Sequence, residues 1–382
     1  MRNFRESNIE LSELHSYLKH TKMNQNNYCV IMAGGVGSRF WPLSKQKSPK
    51  QFLDILGIGK TLIQMTFDRF SSVCPAENYY IVTNEQYKDL VLEQLPQLKP
   101  EQVLLEPIMR NTAPCIAYAN YKIKQRDENA RIIVSPADHL ITNENDFLNV
   151  INQGLDYVTG NNKLLTLGLK PNRPETGYGY IQVENKDIDL GISKVKTFTE
   201  KPNIDLAKVF LDSGDFYWNS GIFIWSLSAI DSAFKSYLPD VDNLFTSGES
   251  VFDANTETQF IGKIYPECPN ISIDYGILEK SDQVYVFCSD FGWSDLGTWG
   301  SLYDRSDKDE SGNAIQGDNV MLYDSENCLI NVPKEKLVVI QGASNYIIVD
   351  SKDTLLICKK ENEQDIKTFV GDVKVSKNKK FI

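Results

Sequence analysis

Residues 28–51 read YCVIMAGGVGSRFWPLSKQKSPKQ, and this stretch decides the fold. An apolar run of strand length, Tyr28 to Met32, opens into a turn with Gly34, Gly35 and Gly37, followed by Ser38, Arg39, Lys47 and Lys50. Glycines let backbone come close to a ligand and take positive φ. Successive free N–H groups in such a turn form a concave anion site. With Arg39, Lys47 and Lys50 as mobile positive charge, the stretch reads as a phosphate cradle. The plainer reading is a glycine-rich turn with surface cations.

Two better-known glycine motifs fail. The dinucleotide fingerprint G-x-G-x-x-G requires a third glycine, and Phe40 stands in its place. The P-loop ends correctly at Gly59-Lys60-Thr61, but Asp54 occupies the position of its first glycine. A dehydrogenase and a P-loop ATPase are therefore set aside.

The 382 residues suffice for two or three domains, and 41% hydrophobic with 24% charged residues is ordinary for a globular protein. A net charge of -11 argues against a nucleic-acid binder, yet allows a local basic cleft for a small anion. Seven scattered cysteines without a C-x-x-C are expected to be free thiols in a reducing cytoplasm. No apolar run reaches membrane-spanning length, and the N-terminus has no signal core. The expectation is a cytoplasmic protein without a membrane partner.

Strands are predicted at 29–32, 79–83, 103–105, 132–135, 164–167, 195–199 and 284–288, with helical spacing between them, as in Leu62, Ile63, Met65, Phe67 and Phe70. This alternation predicts an α/β fold, a Rossmann-like, mostly parallel sheet covered on both faces. Ligands of such sheets sit beyond the carboxyl ends of the strands, where the glycine turn falls. After residue 303 short β-rich runs recur at 319–322, 328–331, 337–340, 346–349 and 355–358, before a short amphipathic helix near 363–374. The predicted division is an extension over 1–26, a catalytic domain over 27–302 and a small all-β domain over 303–382. Met23 is an alternative start, and Leu11, Leu14 and Leu18 mark one weak helix in the extension.

Candidate chemistry lies in the loops. Asp138, in SPADH, follows a predicted strand on the rim of the glycine turn, where an aspartate can hold Mg²⁺ against phosphates or merely cap a helix. Asp295, in GWSDLGTW, could complete such a metal site. His139 is the one histidine outside the N-terminal tail, so histidine-based triads have little to build on. It is read as structural or as a support behind the residues that touch a ligand. Glu175–Tyr180, Glu200-Lys201-Pro202 and Trp218-Asn219-Ser220-Gly221 carry groups suited to sugar hydroxyls and a phosphate.

Taken in order, AGGVGSRFWPLS, SPKQF, EPIMRNTAPCIA, SPADH, ETGYGYI, VKTFTEKP, WNSGIF, SIDYGILEK and GWSDLGTW cover nearly all of 28–300. Together they resemble the sugar-1-phosphate nucleotidylyltransferases, and within them the mannose-1-phosphate guanylyltransferase branch. The resemblance implies transfer of GMP from GTP to mannose 1-phosphate, with Mg²⁺ as cofactor, and a homodimer as the common assembly. It also implies that the C-terminal unit is left-handed β-helix-like, and that isomerase activity, carried by an additional domain in longer relatives, is not expected. By resemblance, Gly34, Gly35, Gly37, Ser38, Arg39 and Lys50 hold the triphosphate, and Pro107, Arg110, Asn111 and Thr112 lie near guanine or ribose. Asp138 and Asp295 bind the metal. Gly179, Glu200 and Asn219 hold the sugar, and Lys201 its phosphate. Another sugar phosphate (manno-heptose, glucose), another base, or a non-catalytic regulatory relative are the alternatives.

Overall fold

The structure is a computed structural model that describes residues 23–184, 191–248, 251–252, 256–376 and 379–382. The helix expected around Leu11, Leu14 and Leu18 lies outside the described residues.

The predicted strands form β1 (Asn27–Met32), β2 (Tyr79–Asn84), β3 (Val103–Glu106), β4 (Arg131–Pro136), β6 (Leu164–Leu169), β8 (Ile192–Thr199) and β10 (Val284–Ser289). Sequence reading missed β7 (Tyr180–Val183) and the eleven-residue β9 (Phe216–Ser226). Short pieces β5 (Leu140–Ile141) and β11 (Trp293–Ser294) pair with each other. The main sheet has nine strands in the order β3-β2-β1-β4-β9-β6-β10-β8-β7. β1 to β4 are mutually parallel across their pairings, and β6 is parallel to β10. β9 runs antiparallel to both β4 and β6 and also pairs with β7.

Strand residues alternate between two cores, as pleated geometry requires of a sheet covered on both faces. Cys29, Ile31, Ile81 and Ile133 face the helices Leu62–Phe70 and Glu144–Val158. Tyr28, Val30, Val82 and Ile132 face Thr112–Lys124 and Leu227–Tyr237. Each fully buried Ile, Val or Phe contributes about 1.5–3 kcal/mol, so strand direction is fixed firmly before any site residue is placed.

The expected boundary at 302/303 falls inside the helix Trp299–Arg305. Beyond it come β12 (Ala314–Gln316), β13 (Val320–Tyr323), β14 (Leu329–Asn331), β15 (Val338–Gln341), β16 (Tyr346–Asp350) and β17 (Leu355–Lys359). β12, β14 and β16 stack in parallel, β13 stacks on β15, and β17 turns back antiparallel on β16. This is a β-helix-like unit. Its inner residues Leu329, Ile347, Val349 and Leu356 share one core with Phe40, Trp41, Leu296 and Trp299. The following helix, Ile366–Val375, packs against the turn Ser38–Phe40. The seven cysteines are free thiols.

Candidate active site

The glycine turn leaves β1 at the carboxyl rim of the sheet, and its path is pinned from below. Gln51 Nε2 and Thr83 Oγ1 donate to the Ala33 carbonyl at 2.9 and 2.8 Å, and Ser44 Oγ donates to the Gly37 carbonyl at 2.6 Å. Gly37 has φ of 71°, and a Cβ there would stand 2.5 Å from Lys50 Cβ. Both the left-handed backbone and the close approach require glycine.

Lys50 is not the mobile charge expected of it. It is 3% exposed, and its Nζ donates to Asp138 Oδ2 at 2.8 Å and to the Asp295 backbone carbonyl at 2.6 Å. The loops after β1, β4 and β11 thus meet at one ammonium. Lys47 is exposed and stays outside this cluster. A cavity of about 360 Å³ is lined by Gly37, Ser38, Arg39, Lys50, Asp138 and Asp295, together with His139, Gly297 and Lys367.

Burial would push the Asp138 carboxyl up, but the Lys50 ammonium, His139 and hydrogen bonds outweigh it and hold the carboxyl below its ordinary range. His139 lines the cavity and is held by a neighbouring ring. Its Nδ1 accepts the Trp293 Nε1–H at 3.1 Å, and burial, opposed by Asp138 and Asp295, lowers its pKa to about 4. It is neutral and a weak base at neutral pH.

Asp295 continues the cluster toward the second half of the site. Its Oδ1 accepts from Tyr178 OH at 2.7 Å and from the Gly297 amide at 2.9 Å, which leaves Oδ2 without a donor among the described residues. Next to Tyr178, the Gly179 carbonyl accepts from the Asn219 amide at 2.8 Å. A Cβ at Gly179 would lie 2.7 Å from Glu200 Oε2, so glycine lets the carboxylate stand close over this backbone, and any side chain there would displace it. Lys201 pairs with Glu200, and Asn219 Nδ2 donates to Asp274 Oδ1 at 2.7 Å. Burial raises the Asp274 pKa to about 6, against the relief given by Asn219 and with added repulsion from Glu200. Gly179, Glu200, Lys201 and Asn219 therefore stand together, linked through Tyr178 to Asp295.

Three loops at the site run into capped helices. Asn111, Asn203 and Thr298 accept from the amides of Thr112, Leu206 and Ser301, each cap contributing about 1 kcal/mol. Among the described residues other than glycine, positive φ falls on Asn111, Lys201 and Leu296, beside or within these loops, and elsewhere only on Asp324, Asn327 and Asn345 of the β-helix-like unit. Such backbone costs of order 1–3 kcal/mol and gathers where function fixes a loop.

Pro107, Arg110, Asn111 and Thr112 form the loop from β3 into the helix Thr112–Lys124 and line neither this cavity nor its neighbour. Arg110 donates to the Pro266 carbonyl, and Thr112 Oγ1 accepts from the Ile273 amide at 2.9 Å. Their loop adjoins the glycine turn through Glu106, whose Oε2 would be 3.3 Å from a Cβ on Gly34. Sequence reading did not single out Glu106. It is 4% exposed, accepts the Tyr265 hydroxyl, and is raised by burial to a pKa of about 7. Tyr178, Asp274 and Arg173 were likewise quoted in passing or not at all. Arg173 pairs with Glu175 at 3.2 Å and stacks over Trp218.

Among the described residues no cluster of three or more His, Cys, Asp or Glu forms a closed metal site. Asp138 and Asp295 instead face one cavity with hard oxygen donors and leave room for ligands from a substrate. That donor set fits a cation that shares its coordination with phosphate.

A glycine turn at the parallel rim, a buried lysine tying it to two aspartates and a sugar-sized polar cluster beside them define an enzyme that moves a nucleotidyl group. The chain belongs to the nucleotidyl transferase family, whose model matches residues 28–312, and residues 318–373 match the MannoseP isomerase/GMP-like beta-helix domain. Within that family it is similar to the mannose-1-phosphate guanylyltransferase of Klebsiella pneumoniae, at 38% identity over 92% of this chain and 75% of the relative. The alginate biosynthesis protein AlgA of Pseudomonas syringae is 37% identical over 90% of this chain and 71% of its own length. A solved structure titled mannose-1-phosphate geranyltransferase, from Thermus thermophilus, superposes with a TM-score of 0.82 at 27% identity. The match covers 92% of this chain and all of that one.

Proposed function

We propose that this enzyme transfers GMP from GTP to α-D-mannose 1-phosphate, releasing pyrophosphate and leaving GDP-mannose. The observation that carries this reading is the Lys50–Asp138–Asp295 cluster at the mouth of the glycine turn, intact in a chain whose relatives are named for this reaction.

The sugar phosphate is a dianion above a second pKa of about 6, so it attacks without a general base, and neutral His139 is not asked to be one. One of its oxygens forms a bond to the α-phosphorus of GTP in line with the bond that breaks. Pyrophosphate leaves with that electron pair. The obstacle is crowding of negative charge. Lys50 and Arg39 stand where the triphosphate would lie and Lys201 where the sugar phosphate would lie; Lys50, held by Asp138 and the Asp295 carbonyl, is fixed before the reaction and therefore effective as an electrostatic stabiliser. Asp138 and Asp295 would hold a divalent cation, magnesium in this reading, which supplies charge neutralisation on the phosphates. Gly34, Gly35, Gly37 and Ser38 would present backbone amides to the triphosphate. Pro107, Arg110, Asn111 and Thr112 would border the guanine and ribose, and Gly179, Glu200 and Asn219 the sugar hydroxyls.

No helix among the described residues is long and apolar enough to cross a membrane, which accords with a cytoplasmic enzyme. The exposed apolar residues Leu337, Val339, Leu355 and Ile357 of the β-helix-like unit support a homodimer through that face. Light scattering of the wild type and of a Val339→Lys, Ile357→Lys double variant tests it. A dimer unchanged by the substitutions, or a monomeric wild type, rejects it.

The reaction is tested by pyrophosphate release from GTP and mannose 1-phosphate, with and without EDTA, and with ATP, CTP, UTP and dTTP alongside. Release with GTP alone, abolished by EDTA, is the expected result. Release with another nucleotide, or only with another sugar phosphate, overturns the substrate assignment.

A further inference from the structure

The helix Ile366–Val375 belongs to the C-terminal unit, yet it ends up at the glycine turn. Ile366 is buried in the core that contains Phe40 and Trp299. This anchor places the next residue, Lys367, on the wall of the cavity formed by Gly37, Ser38, Arg39, Lys50, Asp138 and Asp295. Lys367 feels the positive charge of Arg39 most strongly, and this charge, burial and, more weakly, Lys201 lower its pKa. No carboxylate relieves this crowding. Among the described residues neither Lys367 nor Arg39 has an ion pair, and Arg39 Nε is shielded from solvent without a hydrogen-bond acceptor. The carboxylates that line this cavity and its neighbour make their contacts with other groups. Asp138 holds Lys50, Asp295 Oδ1 accepts from Tyr178 and Gly297, and Glu363 accepts the Gly300 amide at 2.7 Å. Two cations from distant parts of the chain thus share a cavity whose wall also carries Asp138 and Asp295, and among the described residues neither cation is paired with them. The arrangement is unfavourable alone and becomes favourable when a polyanion bridges them.

The position of the pair says which polyanion. The cavity that Lys367 lines includes the glycine turn and does not include Gly179, Glu200 or Asn219, and of the two cations that Lys367 feels, Arg39 of the turn acts more strongly than Lys201. We propose that Lys367 binds the β- and γ-phosphates of the nucleoside triphosphate, and the pyrophosphate they become, so that the C-terminal unit supplies a cation to the active site. This rests on the nucleotidyl-transfer reading given above.

The experiment uses the full chain, wild type beside Lys367→Ala and Lys367→Arg, with steady-state kinetics in both directions. Expected for Lys367→Ala is a KM for GTP, and for pyrophosphate in the reverse reaction, raised about tenfold, as loss of a charge-assisted phosphate contact entails. The KM values for mannose 1-phosphate and GDP-mannose stay within about twofold, the melting temperature is unchanged, and Lys367→Arg recovers most of the loss. Unchanged KM values for GTP and pyrophosphate overturn the proposal. So does a parallel loss in all four constants with a lowered melting temperature that arginine does not rescue, because that marks a packing role. If the wild type transfers nothing from GTP to mannose 1-phosphate, the substrate reading fails by itself. Calorimetric binding of inorganic pyrophosphate to wild type and Lys367→Ala then decides the role of Lys367: weaker binding by the variant supports it, and equal binding overturns it.

Discussion

Asp138 lies beside the Lys50 ammonium, and Asp274 lies beside the Asn219 amide. Removal from water raises both carboxyls, yet the first ends below its ordinary range and the second near 6. Depth does not separate them. A full positive charge 2.8 Å away offsets desolvation, whereas a neutral N–H only softens it. The two ends of the site thereby acquire different characters. The Asp138 end stays anionic and can share a cation with phosphates. The Asp274 end is near neutrality in mild acid and suits uncharged hydroxyls.

The largest effect should come from erasing the charge that makes the difference. Lys50→Met is expected to lower turnover about 10³-fold in a pyrophosphate-release assay, the upper range for losing one preorganised charge partner. A loss below tenfold would show that Arg39 and the backbone amides suffice. Next come Asp138→Asn and Asp295→Asn, each expected to cost about 10²-fold or more. Near-normal rates in both would remove the two aspartates from metal binding.

Smaller effects test the raised carboxyls through stability. A carboxyl with a raised folded-state pKa binds its proton more tightly in the native than in the unfolded chain. Its contribution is therefore full below the ordinary value and is lost as pH rises through the folded value. For Glu106 the window runs from 4.5 to about 7, and the loss is on the order of 3 kcal/mol. Glu106→Gln keeps an acceptor for Tyr265 and should flatten the fall in melting temperature across that window. An unaltered slope would place the titration elsewhere. Asp274→Asn is expected to do the same more weakly between pH 3.8 and about 6, because this residue is only partly buried. If Asp274→Asn changed the slope more than Glu106→Gln, solvent access would not be ordering the two sites.

Much of the frame was legible because buried parallel strands write themselves as continuous apolar runs. Val30, Ile31, Val82 and Ile133 are fully buried, and each sits in a run that the sequence displays. β9 escaped notice because its site-facing residues, Asn219 and Gly221, interrupt the apolar pattern. Chemistry hid the strand that carries it. The glycine turn, Asp138 and Asp295 each stood out singly. That Lys50 is buried between the two aspartate loops did not, since pairing across 88 residues leaves no local trace. Glu106 was quoted only as the first residue of a matching run, and Lys367 carried no signal at all. One looks like a strand end and the other like any lysine on an amphipathic helix.

The seating of the helix Ile366–Val375 and of Phe381 on the glycine turn also bears on how the molecule assembles. Trp41 Nε1 donates to the Phe381 carbonyl across 340 residues of chain. Phe40, Trp41 and Trp299 keep an apolar underside that the late segment covers. During synthesis the glycine loop therefore waits, uncovered, for a segment that lies 340 residues further along the chain. Contacts of such sequence separation form slowly, and exposed aromatic surface in the interval invites aggregation or chaperone binding. The catalytic loop is thus completed late in folding, although it is translated well before the segment that covers it.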